Sequence, residues 1–400
     1  MGTVVVQKYG GSSVADVDKL KRVAARIART RAEGHDVVVV VSAMGKTTDQ
    51  LLSLAREVSP QPHRRELDML LSVGERISMA LLSMAVADLG WPAISFTGSQ
   101  SGIITDTSHF SARVLEVRPQ RIVEALTQGK VVIVAGYQGV STDKEVTTLG
   151  RGGSDTSAIA LAAALGAEYC EICSDVDGVY TADPRVVPEA YRIDDMSVEE
   201  MLTLARAGAK VLSAEAVAYA QKMGITIRAA ASFKDTGHTT VGPQPLRRGV
   251  VAVTADTSLA QLVWMGEPEA LTRVLEWMGE VGIVPVTLTT AEGSLSARFR
   301  TVNLPDLGRV LSYGTTLFGE ALSVRQDQVT TTVVGDGVGE DLTRVQVALS
   351  ALTQVGIVPR SMELGPSSIT FLLERGEEVA ALRALHHTLL TPSDSAARSS

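Results

Sequence analysis

Several short runs in the first half of the chain are apolar on both faces. Asp36–Ser42 reads DVVVVVS, and Thr3–Lys8 and Val131–Ala135 have the same texture. A β-branched run with no polar alternation has no side to give to water, so it belongs in a sheet covered on both faces. Tyr169–Ser174, Ala93–Phe96 and Ile225–Arg228 read as further strands. Between them the period changes. Asp16–Arg31 repeats Val17, Leu20, Val23, Ala24 and Ile27 at helical spacing. Helices are predicted at Asp49–Val58, Arg64–Leu89, Pro119–Gln128, Asp155–Leu165, Val198–Ala205 and Lys210–Met223. Strands and helices in alternation predict an α/β fold with a mainly parallel sheet, which gathers ligands at the carboxyl ends of its strands.

The chain has 400 residues, more than one core usually fills, so two or three domains are expected. A net charge of −8 argues against nucleic acid as a partner, since phosphates call for clustered Lys and Arg. Apolar runs such as Val37–Val41 are too short to cross a bilayer, and the N-terminus lacks the pattern of a signal peptide. The expectation is a cytoplasmic protein with no membrane segment. Cys170 and Cys173 are the only cysteines. Three apart on a strand, they face opposite sides and suit packing rather than a metal or a disulfide. The histidines form no metal-ligand pair, and His386 and His387 are expected to face solvent.

The texture changes at Asp235–Arg248, DTGHTTVGPQPLRR, which reads as a domain boundary. Beyond it, VGIVP occurs at Val281 and again at Val355, 74 residues apart, each time after an amphipathic helix (Glu269–Glu280 and Asp341–Gln354). The order of elements around both copies predicts a duplicated β-α-β-β-α-β unit. Residues 1–243 are expected to form the first domain, and 260–327 the first repeat unit. Residues 250–259 with 328–391 would form the second, and 392–400 a disordered tail.

Three loops carry candidate chemistry. KYGGSS places Lys8 and two glycines between a strand and a helix, an arrangement suited to phosphate and equally to a tight turn with a solvated lysine. It is not a Walker A loop, because the lysine precedes the glycines. TTLGRGGSDTSA offers Arg151, two glycines, Ser154 and Asp155 at a helix start, for an anion or simply as a cap. CSDVDGVYTADPR crowds Asp175, Asp177 and Asp183 around Tyr180, suiting a nucleoside or an acidic surface loop. In addition, VVSAMGKTTDQL places Ser42, Thr47 and Thr48 at a strand end. MLLSVGERISMALL sets Glu75 and Arg76 in an apolar helix, where a charge needs a ligand or an internal ion pair.

Taken in order, KYGGSS, VVSAMGKTTD, GERIS, SFTGSQSGI, TTLGRGGSDTSA, SDVDGVYTADPR and GAKVL resemble aspartate kinase over roughly the first 240 residues. The resemblance implies the amino acid kinase fold, an α/β/α sandwich, followed by two C-terminal α+β ACT domains. It implies transfer of the ATP γ-phosphoryl, with Mg²⁺, to the β-carboxylate of L-aspartate, the first step toward threonine, methionine and lysine. Carboxylate is already a nucleophile, so the chemistry needs positioning and charge neutralisation rather than a base. Lys8, Asp155 and Lys210 would be catalytic. Lys8, Tyr9, Gly10, Gly11, Ser174, Asp175, Tyr180, Asp183, Arg185, Lys210 and Val211 would bind ATP. Ser42, Thr48, Glu75, Arg151, Gly152, Gly153 and Ser154 would hold aspartate, Arg151 gripping a carboxylate and Glu75 the ammonium. No resident metal site is implied.

The C-terminal half departs from the family pattern. Ser213, Ala214 and Glu215 stand where a His-Pro-Arg-like stretch is usual, and the effector segments read GEPEA, VPVTLTT and ELGPSSITF. Weak or altered feedback inhibition by threonine or lysine is therefore expected. By analogy the ACT units would make a homodimer, or a heteromer with an ACT-only small subunit. Two rival readings are a kinase of the same fold acting on another acid or a nucleoside monophosphate, and a catalytically silent amino-acid sensor.

Overall fold

The computed structural model describes residues 2–150, 152–234, 236–244, 249–304 and 307–390. The chain divides into two compact units. The first comprises Met1–Val179, Arg192–Leu202 and Lys210–Leu246, the second Tyr180–Tyr191, Thr203–Ala209 and Arg247–Ser400.

In chain order the first part runs β1 (Val4–Tyr9), α1 (Val17–Ala32), β2 (Asp36–Val41), α2 (Thr47–Val58), α3 (Arg64–Leu71), α4 (Val73–Asp88) and β3 (Ala93–Phe96). Then come β4 (Ile103–Thr105), β5 (Val114–Val117), α5 (Gln120–Thr127), β6 (Val131–Ala135), β7 (Gln138–Ser141), β8 (Val146–Thr148), α6 (Gly153–Leu165) and β9 (Cys170–Ser174). After the two-residue strands β10 (Val179–Tyr180) and β11 (Arg192–Ile193) follow β12 (Asp195–Ser197), α7 (Val198–Arg206), α8 (Ala214–Met223), β13 (Ile227–Ala231) and β14 (His238–Gly242).

Eight strands form the main sheet in the order β12-β14-β13-β9-β1-β2-β6-β3. Its centre is parallel: β1 pairs with β2 on one side and with β9 on the other. The all-apolar strands sit where burial on both faces demands them. Val5, Tyr9, Val37, Val39, Val41, Val131 and Ile133 pack against Leu20, Val23 and Ile27 of α1 and Leu82 and Val86 of α4. The opposite face is covered by α6, whose Ala158–Ala162 are all buried. The result is an α/β/α sandwich. The chain leaves β1 toward β2 and returns to place β9 on β1's other edge. Such a reversal of strand order opens a crevice at the carboxyl ends. A smaller sheet, β5-β4-β7-β8, lies beside the main one in sequence.

Two elements differ from their sequence reading. The predicted helix Arg64–Leu89 forms as α3 and α4, which meet at Ser72, whose backbone stays helical at φ −62° and ψ −13°. The amide of Gln138 donates to the Ser72 carbonyl at 2.9 Å at this junction. By length and composition Arg64–Asp88 would suffice to cross a membrane. In the fold it is a core pair that buries Leu67, Leu71, Leu82 and Val86, together with the polar Asp68 and Glu75. The predicted helix from Lys210 starts only at Ala214. Ser213 caps it, its side chain accepting from the Ala216 N–H.

The second unit contains β15 (Ala252–Asp256), β16 (Leu259–Met265), α9 (Leu271–Glu280), β17 (Pro285–Ala291), β18 (Ser294–Arg300), α10 (Leu307–Phe318) and β19 (Leu322–Arg325). It closes with β20 (Gln328–Val334), α11 (Leu342–Gln354), β21 (Ser361–Gly365), β22 (Ser368–Glu374) and α12 (Glu378–Leu390). Two four-stranded antiparallel sheets result, β17-β18-β16-β19 and β15-β20-β22-β21. The repeated VGI is one helix stop used twice. Gly282 and Gly356 take φ of 79° and 78°, and Ile283 and Ile357 turn back into their cores. His386 does not face solvent. It is 2% exposed, with Nε2 2.9 Å from the Thr181 hydroxyl. Burial in the α12 core depresses its pKa.

Candidate active site

Lys8 is the last polar residue of β1, in register with Val40 of β2 and Ile172 of β9. Its neighbours Gln7 and Tyr9 point into the α1 face, so alternation sends Lys8 to the α6 face. There its ammonium meets Asp155 in the first turn of α6 at 2.6 Å, both side chains being close to nine-tenths buried. Lys8 and Asp155, 147 residues apart in sequence, thus share one spot. Asp155 also lies where a helix N-terminus favours negative charge.

Neither Ser154 nor Asp155 is the cap of α6. That position belongs to Gly152, whose φ of 74° is left-handed and whose missing Cβ would lie 2.5 Å from Ser213. Gly153 and Ser154 open the helix, and Ser154 is buried. Arg151 lies outside the described residues. Gly11 is set by contact rather than by angle. A Cβ there would meet the Ala43 carbonyl at 2.8 Å and the Gly45 carbonyl at 3.1 Å, while the Gly45 N–H donates to Gly11 at 3.0 Å. The KYGG turn and the AMG turn therefore interlock. Gly11→Ala is expected to force these loops apart and to cost about 1–3 kcal/mol. Thermal unfolding checks this, and a Tm equal to that of the parent chain contradicts it.

Tyr9 is fully buried, its hydroxyl donating to Gln7 at 3.2 Å. Only its backbone reaches the loop, where its carbonyl accepts from the Ser42 N–H at 3.1 Å. Ser42 and Thr48 are partly buried at the end of β2 and the start of α2. Gly10 donates its N–H to the Cys173 carbonyl, 3.5 Å away, which ties the loop after β1 to β9. Ser174 follows at the end of β9, and Asp175 beside it is exposed. Lys210 is exposed and Val211 half-buried in the loop before α8. Tyr180, Asp183 and Arg185 belong to the second unit, where Arg185 forks onto Asp183 at 2.7 Å. Asp177 accepts from the Thr236 hydroxyl at 2.7 Å.

Glu75 decides between two readings. Its neighbour Arg76 reaches Gln138, not Glu75. One carboxylate oxygen of Glu75 accepts from the Ala43 N–H at 3.0 Å, whereas Oε2 is buried without a hydrogen-bond partner among the described residues. Burial pushes the carboxyl up to about 7, against the opposing effect of the Ala43 N–H. An internal ion pair is thereby excluded within the described residues. A buried oxygen with spare capacity is suited to an incoming cation.

Cys170 and Cys173 are both buried and reduced, with thiol pKa values raised by burial. Sequence reading missed Asp68 and Tyr137. Asp68 is an acid on the buried stripe of Leu67 and Leu71, a signal available in the helical period. Tyr137, between β6 and β7, has a φ of 66°, unusual for an aromatic residue and invisible in its spelling.

The sequence pattern of the amino acid kinase family matches residues 3–230. An aspartokinase of Mycolicibacterium smegmatis is 54% identical over 272 residues, 66% of this chain and 65% of that protein. The chain thus spans somewhat less than two thirds of that relative. An aspartokinase of Thermus thermophilus is 39% identical over 399 residues, 96% of this chain and 98% of that protein. In fold, the chain matches E. coli aspartokinase III, solved with aspartate and ADP, at a TM-score of 0.83 and 23% identity, covering 96% of this chain and 99% of that one. The chain belongs to the amino acid kinase family and, within it, to the aspartokinases.

Proposed function

We propose that the chain transfers the γ-phosphoryl of ATP to the β-carboxylate of L-aspartate. The observation that carries the reading is the Lys8–Asp155 pair, which joins the glycine-flanked lysine to the R-G-G-S-D turn. E. coli aspartokinase III, solved with aspartate and ADP, has the same fold and supports both ligands.

In the step itself a β-carboxylate oxygen attacks the γ-phosphorus and the bond to the β,γ-bridging oxygen breaks. ADP leaves with the electron pair, and 4-phospho-L-aspartate forms without proton transfer. Lys8 neutralises charge on the transferring group and Asp155 fixes its direction. Glu75 accepts the substrate ammonium at Oε2. Arg151, with Ser42, Thr48, Gly152, Gly153 and Ser154, holds the carboxylates. Gly10, Gly11, Ser174, Asp175, Lys210 and Val211 hold the nucleotide, and the motif alone adds Tyr180, Asp183 and Arg185. Among the described residues no three Asp, Glu, His or Cys side chains cluster to cage a metal. Mg²⁺ would accompany the triphosphate and neutralise phosphate charge.

The two C-terminal units, 260–327 and 250–259 with 328–391, we assign to regulation and assembly. Edge strand β17 exposes Val286 and Leu288, and β21 exposes Met362 and Leu364. These strands suit a homodimer or an ACT-only small subunit. Weak response to lysine or threonine remains the expectation from GEPEA, VPVTLTT and ELGPSSITF. Strong millimolar inhibition by the two together contradicts it.

A coupled ADP-release assay with aspartate, glutamate or no amino acid tests the reading. ADP formation is expected with aspartate alone. Equal rates with glutamate, or rates independent of any amino acid, overturn it.

A further inference from the structure

We propose that Asp68 is a positioning residue for the amino-acid end of the site, holding the chain at Gly150 through Thr148 and the loop that carries Phe110. The proposal rests on the reading above that this segment meets the substrate.

Asp68 lies on α3 with no exposed surface. Among the described residues no lysine or arginine forms an ion pair with it, and its carboxylate is met by other donors. The Thr148 hydroxyl donates at 2.5 Å, the Phe110 N–H at 3.1 Å to Oδ1 and 3.2 Å to Oδ2, and His109 Nδ1 at 2.6 Å. A buried carboxylate is tolerated only when its oxygens are satisfied in this way. A buried apolar side chain would pack on the stripe of Leu67 and Leu71 without needing any of these donors.

The bonds converge on the end of β8 and on the 106–112 loop, which both lie beside Gly150. Thr148 ends β8, two residues before Gly150. Phe110 is held at a φ of 72°, a left-handed conformation that an aromatic residue keeps only when its surroundings impose it. The Asp68 bond to its N–H is one such constraint. The loop then packs back on the turn. The Ala112 N–H donates to the Thr148 carbonyl at 2.9 Å, and a Cβ on Gly150 would sit 3.5 Å from the Phe110 carbonyl. One carboxylate thereby fastens β8 and the 106–112 loop to α3, and α3 leads through Ser72 into the helix that carries Glu75. The amino-acid contacts on α4 and on the turn share this anchor.

Loss of the anchor frees the turn by fractions of an ångström, which affects the ligand it touches more than the nucleotide. Asp68→Asn keeps the shape but reverses one acceptor, and Thr148→Val keeps the volume but removes one donor. In the full chain each is expected to raise the KM for aspartate about tenfold, with the KM for ATP within about twofold. A merely structural role lowers Tm and the active fraction and leaves both KM values in place. If Asp68→Asn does not fold, Thr148→Val decides alone. Unchanged KM values, or equal rises for both substrates, overturn the proposal. Ser154→Ala serves as the control on the site itself. A raised aspartate KM there, without one in the other two variants, removes the anchor and keeps the site. No change in Ser154→Ala removes the site reading as well.

Discussion

Replacing Lys8 by alanine is expected to lower kcat by about 100- to 1,000-fold, the loss seen when one preorganised donor to a developing charge is removed. The fold should survive. Lys8 is the penultimate residue of a strand whose position is fixed by Val4, Val5 and Val6 and by ladders to two neighbours, none of which uses the ammonium. Removing it does leave Asp155 as a buried carboxylate without its cation, so Lys8→Ala is expected to lower Tm by a few degrees as well. Adding Asp155→Asn should restore that Tm without restoring turnover. The double variant separates the two effects: recovered stability with kcat still depressed assigns Lys8 to the transition state. Near-parental turnover in Lys8→Ala refutes its role.

Glu75→Gln is expected to raise the KM for aspartate by about 10- to 100-fold, the range for a hydrogen bond to a charged group. It should also remove a pH dependence. The folded-state carboxyl sits near 7, pushed up by burial from an ordinary value near 4.5. As pH rises from 6 to 8 the side chain ionises and can pair with the substrate ammonium, so the parental KM should fall. In Glu75→Gln this part of the KM profile should be flat. Stability moves in the opposite sense. Between about 4.5 and 7 the folded state holds the Glu75 proton and the unfolded chain does not, so stability falls as pH rises through that window. The shift corresponds to about 3 kcal/mol, and Glu75→Gln should abolish it. KM values that match the parent at pH 8, or a retained slope in the variant, count against the ammonium role.

The fold was legible where burial leaves a strong pattern. DVVVVV has no polar face and lies at the centre of the sheet, and Ala93–Phe96 and Val131–Ala135 form strands over those very residues. The sheet of β4, β5, β7 and β8 was not legible, because strands of three or four residues with mixed polarity have too few positions to show a period. The junction at Ser72 keeps helical angles, φ −62° and ψ −13°, so no local signal announces it. His386 was misread because a pair of histidines near a helix end looks polar, whereas its partner Thr181 comes from a distant loop.

The candidate site was legible in pieces. Each glycine-rich turn suggested an anion, but that Lys8 meets Asp155 is a fact of topology. It follows from β1 and α6 sharing one face of the sheet, which periodicity does not specify. The choice between ligand and ion pair at Glu75 also required the fold, since Arg76 is adjacent in sequence and turned toward Gln138 in space.

The central claim is that an acyl phosphate forms on the aspartate β-carboxylate at Lys8. Hydroxylamine converts an acyl phosphate to a stable hydroxamate with release of phosphate, so trapping tests the claim directly. With ATP, Mg²⁺ and aspartate, the parent chain should yield aspartate β-hydroxamate in step with ADP, and Lys8→Ala should yield almost none. ADP release with no hydroxamate, or undiminished hydroxamate from Lys8→Ala, would contradict it.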